Sequence, residues 1–182
     1  MIEKGFNQLY WGFLFTMLDF RIQGFDVLPD FVGYLLFASG FGILAANSMY
    51  FKKASKLNIP MIILSIFTIY ERPKQEPGIN IDLLGYIVGI VSLILGLLII
   101  YYLFAGVKEM SVNVHQDIYE EADIRWRQYL MLQIAVMLGF VIIFIPFLNF
   151  LYIIGLLAAS VVLMFVIMGF MKRCGEQLAN NP

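Results

Sequence analysis

The residues with most chemistry to offer in this chain are carboxylates set among apolar neighbours. Residues 25–36 read FDVLPDFVGYLL, which places Asp26 and Asp30 on either side of Pro29. Asp82 stands in the same way at the head of DLLGYIV. Together with Asp19, Glu71 and Glu76, these side chains could bind a divalent cation or a cationic peptide through oxygen ligands. Capping of helix N-termini and ordinary loop solvation account for the same residues and are preferred, so no metal site is expected. A second group, Glu120, Glu121 and Arg125 in EEADIR, sets two carboxylates beside a guanidinium one helical turn on.

EEADIR matches the Glu-Glu-x-x-x-Arg element of the membrane-embedded CAAX-protease-like family, which also needs histidines on later spans. The single histidine, His115, precedes the motif and none follows. The match is therefore read as a coincidence of helix-face charge. The same shortage removes a rhomboid-like serine–histidine pair around Ser39–Gly40 and histidine-dependent lipid phosphatases. With one cysteine, Cys174, the chain can form no internal disulfide and no zinc site of several Cys and His ligands. Cys174 follows Lys172 and Arg173 past the last apolar run and reads as a reduced thiol on the cytoplasmic side. No catalytic residue and no cofactor are expected, and the protein is read as non-enzymatic.

The elements that carry these residues follow from composition. Hydrophobic residues make up 61% of the 182 and charged ones 14%, against about 25% charged in a soluble domain. Lipid bilayer is the natural solvent for such a surface. A formal net charge of −1 gives no basic patch for nucleic acid. The apolar run Leu9–Leu18 behind Lys4 is followed by Asp19, Phe20 and Arg21 rather than by a small-residue cleavage site, so it reads as a retained first span.

A helix needs about 20 residues to cross a hydrocarbon core roughly 30 Å thick. Residues 83–107 and 150–171 carry no charge, and 129–148 has Gln133 as its one strongly polar residue, with a turn expected at Pro146 and Asn149. Residues 31–50 and 5–20 supply two more spans. The segment 57–70 would be about 21 Å long as a helix, short enough for a re-entrant piece. The basic residues decide in favour of crossing. With six spans and a cytoplasmic start, Lys4, Lys52, Lys53, Lys56, Lys108, Arg125, Arg127, Lys172 and Arg173 lie inside, against Arg21, Arg72 and Lys74 outside. Without the third crossing the same residues divide six and six, which loses the cytoplasmic enrichment that orients membrane proteins. Interfacial aromatics fit the frame, with Tyr101, Tyr102, Trp126 and Tyr129 among those near inner ends and Tyr34, Tyr86 and Tyr152 near outer ones. The expected fold is all-α, an integral membrane bundle of six transmembrane helices with both ends cytoplasmic.

DFVGYLL from Asp30 and DLLGYIV from Asp82 share Asp-x-x-Gly-Tyr, and each opens an even-numbered span at its outer end. NFLYIIG from Asn149 is a fainter echo, and three repeated helical hairpins are the simplest organisation. At each turn the aspartate caps unpaired N–H groups and the positive end of the helix dipole. Gly33 and Gly85 admit a neighbouring helix, and Tyr34 and Tyr86 anchor at the headgroups. Small-residue rows such as Ala38–Gly42–Ala46 and Gly85–Gly89 permit close packing within a bundle or a homo-oligomer.

The stretch DVLPDFVGYLL behind an aromatic first span resembles an uncharacterised group of small multi-pass membrane proteins of Gram-positive bacteria. That group carries a D-x-LPD-x-x-GY turn, here Asp26, Leu28, Pro29, Asp30, Gly33 and Tyr34. The resemblance covers about the first quarter of the chain. It implies a bacterial plasma-membrane location and brings no activity with it.

Residues 108–128 form the largest polar segment, read as an amphipathic helix on the inner leaflet with Glu121–Arg125 and Asp123–Arg127 as i,i+4 pairs. Glu120, Glu121, Arg125 and Arg127 are its candidate docking residues for a protein partner. The spans offer Thr16, Ser65, Thr68, Ser92, Gln133 and Ser160 as polar groups but no clear mid-depth charge. The leading expectation is thus an accessory or regulatory membrane subunit acting through protein partners. The alternative is a small permease or substrate-binding subunit for a neutral or amphipathic solute, entered near Asp30 and Asp82.

Overall fold

Helix boundaries in this chain fall where side chains can satisfy the orphaned backbone groups of a helix end. In the computed structural model, which describes residues 1–17, 21–22, 25–26, 30–67, 83–142 and 145–180, six helices carry the chain. They are α1 (Ile2–Met17), α2 (Asp30–Leu44), α3 (Met49–Phe67), α4 (Leu83–Ser111), α5 (Gln116–Ile142) and α6 (Pro146–Asn180). Asp30 occupies the first turn of α2 and Asp117 that of α5, where a carboxylate favours the dipole. Pro146 opens α6, a position where its missing N–H has no partner to lose. Ser48 caps α3, its Oγ accepting from the Tyr50 N–H at 3.1 Å while donating to the Glu109 carboxylate. Between α1 and α2 the backbone makes a two-residue antiparallel ribbon, β1 (Arg21–Ile22) with β2 (Phe25–Asp26), in which Arg21 pairs with Asp26 and Ile22 with Phe25.

Each helix packs antiparallel on the next, and α6 returns to α1, so the six close into a ring. The α1–α2 seam is closed over glycines, against both side chains and backbone carbonyls. A Cβ on Gly33 would lie 2.5 Å from Thr16 Cγ2 and 3.0 Å from the Gly12 carbonyl, and one on Gly12 would lie 2.5 Å from Phe37 Cε1. Gly40 meets the Gly5 carbonyl in the same manner, at 2.9 Å from a built Cβ. The closing seam brings Gly175 of α6 against Phe6 and Glu3 of α1. Where α4 and α6 touch across the ring, Phe104 and Phe170 stack with centroids 6.2 Å apart.

One half of the ring is filled. Phe6, Phe13, Phe37, Phe41, Phe51, Phe104 and Phe170 are all buried there, with Ile99, Leu103 and Met164. Phe13–Phe37 and Phe6–Phe51 meet edge to face at 5.1 and 6.2 Å, the arrangement that ring quadrupoles favour. The outside is apolar along α3, α4, α5 and α6, where Ile63, Ile90, Met131 and Phe150 are among the exposed large side chains. Among the described residues, two helices, α4 and α6, are long and apolar enough to cross a membrane.

Several expectations shift against this frame. The segment 108–128, read as an amphipathic helix leading into the fifth span, is divided between two helices. Its first residues end α4, residues 112–115 turn, and the remainder belongs to one continuous α5. Ile118 and Ala122 are buried in that stretch, because its apolar side packs into the bundle. The third segment begins at Met49 rather than 57, taking Lys52, Lys53 and Lys56 into α3 and bringing it to 19 residues. The predicted small-residue rows do not make the closest helix contacts. Gly42, Gly89 and Gly155 have nothing within 4 Å of a built Cβ, whereas the close approach uses Gly5, Gly12, Gly33 and Gly40. Of the predicted turn residues, Pro29 and Asp82 lie outside the described residues, as do Asp19, Glu71 and Glu76. Gly85 and Tyr86 fall in the first turn of α4.

Candidate functional site

In its other half the described residues leave a cavity. Five of the six helices line a cavity of about 230 Å³: Thr16 from α1; Asp30 and Tyr34 from α2; Met61, Leu64 and Ser65 from α3; Ser92, Leu93 and Gly96 from α4; and Tyr129 and Gln133 from α5. Asp30 and Tyr34 are one turn apart, as are Tyr129 and Gln133, so each pair projects from a single helix face. A neighbouring space of about 30 Å³ lies among Phe13, Phe37, Ile99, Ile100 and Tyr129 and joins the cavity region to the phenylalanine-filled half. The lining thus grades from Asp30, at the start of α2, to aromatic and aliphatic side chains deeper in the ring.

The supports are visible in the hydrogen bonds. Thr16 Oγ1 donates to the Gly12 carbonyl at 3.1 Å and Ser65 Oγ to the Ile62 carbonyl at 2.9 Å, each tying a polar side chain to its own helix. Asn58 is fully buried, and its Nδ2 donates to the Tyr34 carbonyl at 2.7 Å, fixing α3 to α2 at the level of the cavity tyrosine. Its Oδ1 is buried without a hydrogen-bond partner. Pro60 sits inside α3 between Asn58 and the lining residues Met61, Leu64 and Ser65. It removes one helix hydrogen bond and loosens the helix there.

The opposite end of the bundle is charged and closed by ion pairs. Glu121 Oε1 takes Arg125 Nη2 at 2.6 Å and also the Arg173 guanidinium, joining α5 to α6. Asp123 takes Lys108 at 2.9 Å and Arg127 at 2.6 Å, joining α5 to α4. The hydrogen bond from Lys108 holds the Asp123 carboxyl below its ordinary range, and the same bond raises the Lys108 ammonium. At Glu121 burial pushes the carboxyl up, but Arg173 and Arg125 outweigh it and the net direction is down. Burial raises the Cys174 thiol well above its usual value. Lys108 also sits 4.7 Å from the Tyr119 ring centroid.

Of the residues singled out from sequence, Asp30 and Tyr34 reach the cavity. Tyr34 faces inward rather than serving as a headgroup anchor, packing against Phe37 with centroids 6.2 Å apart. Gly33 packs on α1, and Asp26 lies in the ribbon just ahead of α2. Among the docking candidates, Glu121 and Arg125 are used within the bundle, Arg127 pairs with Asp123, and Glu120 accepts from Gln116 Nε2 at 3.0 Å on an exposed surface. Tyr129 was expected at the inner interface; it is instead buried against the cavity, because α5 begins a dozen residues earlier and carries it into the ring. Thr16, Ser65, Ser92 and Gln133, scattered in sequence, converge on one space, whereas Ser160 does not line it. No group of three or more His, Cys, Asp or Glu side chains among the described residues is placed to hold a metal.

A wider groove, about 600 Å³, runs between α5 and α6 past Met131, Ala135, Tyr152, Gly155 and Ala159. Tyr152 Oη bridges its walls by donating to the Ala135 carbonyl at 2.7 Å. No protein-family model, no curated protein and no solved structure matches this chain.

Proposed function

We propose that this chain is a six-span plasma-membrane protein that binds a small solute inside its ring, as a permease or the substrate-binding subunit of one. The observation that carries the reading is the cavity: a polar space built from five helices, with one half of the ring left open for it and the other half plugged by phenylalanines. Polar side chains are costly inside a membrane and are kept there for function. Here Thr16, Tyr34, Ser65, Ser92, Tyr129 and Gln133 all turn toward one space. A volume of about 230 Å³ is below the range of roughly 300–1,000 Å³ typical of drug-sized ligands, so the solute is small.

Membrane placement is supported by the many large apolar side chains exposed along α3, α4, α5 and α6, the kind of surface that marks a membrane or partner contact. At 15 and 16 residues α2 and α1 are short for a span, and α3 and α5 carry charges in their first turns. Their place in a closed ring with α4 and α6 argues that they cross together. Nine basic residues gather at the plugged end, an enrichment that supports a cytoplasmic position for that end and both termini, with the cavity toward the outer face. Three successive hairpins make up the ring.

The test is ligand-dependent stabilisation of the purified protein in nanodiscs, screened with small neutral, cationic and anionic metabolites. At least one should raise the unfolding temperature, and Gly96→Leu, which fills the cavity, should abolish the effect. A second reading, an accessory subunit acting through a protein partner, is favoured by the open α5–α6 groove with its bare Gly155. Stable co-purification with another membrane protein and no response to any solute would select it.

A further inference from the structure

At the charged end of the bundle the charges are layered along the helices. Going outward from the apolar part of α5, Arg127 and Arg125 come first, followed by Asp123, Glu121, Glu120 and Asp117. Along α6, Lys172 and Arg173 come first and Glu176 a turn later, and α4 repeats the order with Lys108 and Glu109. Bases thus stand at the edge of the apolar segments, the level of lipid phosphates, and acids stand further out. Arg125 and Arg173, from different helices, close on one carboxylate oxygen, Glu121 Oε1. Arg125 also donates from Nη1 to Gln128 Oε1 at 2.9 Å. Two guanidiniums sharing one carboxylate keep a formal positive charge and N–H donors to spare, in the fork geometry that suits a phosphate.

This pair stands at the mouth of the apolar α5–α6 groove. Gln128 and Val166 line the groove's inner end, one helical turn from Arg125 and two from Arg173 respectively. From Leu151 to Val166 the α6 wall runs about 22 Å, more than the roughly 15 Å depth of one hydrocarbon leaflet. Ala135, Gly155 and Ala159 make room between the walls, and among the described residues only Gln128 and Tyr152 bring polar side chains. Met131 and Val162 are largely exposed, so the groove opens on the outside of the ring. Its volume of about 600 Å³ takes roughly twenty water-sized groups, the bulk of one long acyl tail. The Tyr152–Ala135 hydrogen bond crosses the groove toward its outer end and obstructs a helix about 10 Å across.

We propose that the α5–α6 groove binds an anionic phospholipid of the inner leaflet, its tail between the helices and its phosphate on Arg125 and Arg173. This goes beyond the solute-binding reading and rests only on the membrane placement.

The experiment is native mass spectrometry of the purified protein in detergent, titrated with dioleoyl phosphatidylglycerol, dioleoyl phosphatidylcholine or glycerol phosphate. With tails held constant, the anionic lipid should bind at least about fivefold more tightly than the zwitterionic one. The headgroup without tails should not bind. Gly155→Leu, at a position where a built Cβ meets nothing, should remove most of the binding of both lipids. Arg173→Gln should bring the two lipids to within a factor of about two. If that variant fails to fold, Glu121→Gln should widen the preference instead, since it frees both guanidiniums from their carboxylate. Equal affinities in wild type, or a preference unmoved by these charge changes, overturns the headgroup assignment. Lipid binding unaltered in Gly155→Leu overturns the groove. A wild-type protein that binds neither lipid and instead holds a second chain through Gly155 assigns the seam to a partner helix and also overturns the proposal. A chain that stays monodisperse without detergent overturns the membrane placement beneath it, whereas a failure confined to the lipids leaves that placement and the solute-binding reading standing.

Discussion

The Asn58 carboxamide donates to the Tyr34 backbone carbonyl across 2.7 Å, joining two helices through a side chain that water does not reach. Hydrogen bonds between membrane helices contribute about 0.6 kcal/mol on average and up to about 1.7. Here the bond also registers Tyr34 against α3. Asn58→Leu forfeits the bond but also removes a buried Oδ1 that has no partner, so the net loss should be small, about 1 kcal/mol or less. Asn58→Asp presents a carboxylate to the same carbonyl and should be distinctly worse. Thermal unfolding in detergent should rank wild type, Leu and Asp in that order.

The α1–α2 seam makes a sharper prediction because its glycines leave no room for a methyl group. Gly33→Ala would press a methyl group on Thr16 and the Gly12 carbonyl, and Gly12→Ala would press one on Phe37. Overpacking of this kind typically costs about 1–3 kcal/mol. Gly42→Ala on the other side of α2 meets nothing and should be neutral or slightly stabilising, since alanine is the better helix former. Equal losses at all three sites would refute the seam.

Acid should loosen the charged end. The carboxyls of Glu121 and Asp123 titrate below their ordinary values in the folded protein. Their contribution is therefore full above the unfolded value, near pH 4, and disappears as pH falls through the lower folded one. The raised Lys108 contributes with the opposite sign: its share is complete below its unfolded value and lost as pH rises through the folded one. Unfolding temperature plotted against pH should fall on both limbs. Glu121→Gln should flatten the acid limb and lower stability at pH 7 by freeing Arg173 from α5.

Cys174 should be silent toward maleimide in the folded protein, being buried with its thiol raised, and should react on unfolding. That silence makes the wild-type chain a ready background for topology. Asp26→Cys should label in intact cells, and Lys53→Cys only after permeabilisation. Labelling of the lysine position from outside would invert the membrane orientation.

Much of this architecture was legible in sequence because helix boundaries depend on local chemistry. Asp30 sits in the opening turn of α2, and the i,i+4 pairs Glu121–Arg125 and Asp123–Arg127 formed as spacing demands, whereas the turn expected at Pro146 and Asn149 comes earlier, so that Pro146 opens α6 and Asn149 is helical. The polar residues of the apolar segments were also visible one by one. What the sequence could not supply was their convergence: Thr16 and Gln133 are 117 positions apart and meet only because α1 and α5 share a ring. Tyr129 was misplaced for a related reason. Its neighbours Trp126 and Arg127 look interfacial, and nothing local records that α5 carries the tyrosine into the bundle. The small-residue spacing misled as well, since Gly42, flanked one turn away by Ala38 and Ala46, meets nothing, whereas Gly40, flanked by Leu36 and Leu44, is the one that contacts α1.

Closure of the ring through α6 and α1 bears on how the molecule is made. As the ribosome delivers it, α1 finds its glycine-matched partner at once in α2, but the face that meets Gly175 waits for more than a hundred further residues. Until then the assembling protein is an open horseshoe, with Phe6 bare along one edge and no enclosed vestibule. An insertase or chaperone shielding that edge, and a sharp rise in protease resistance when α6 arrives, are the signatures to seek during synthesis.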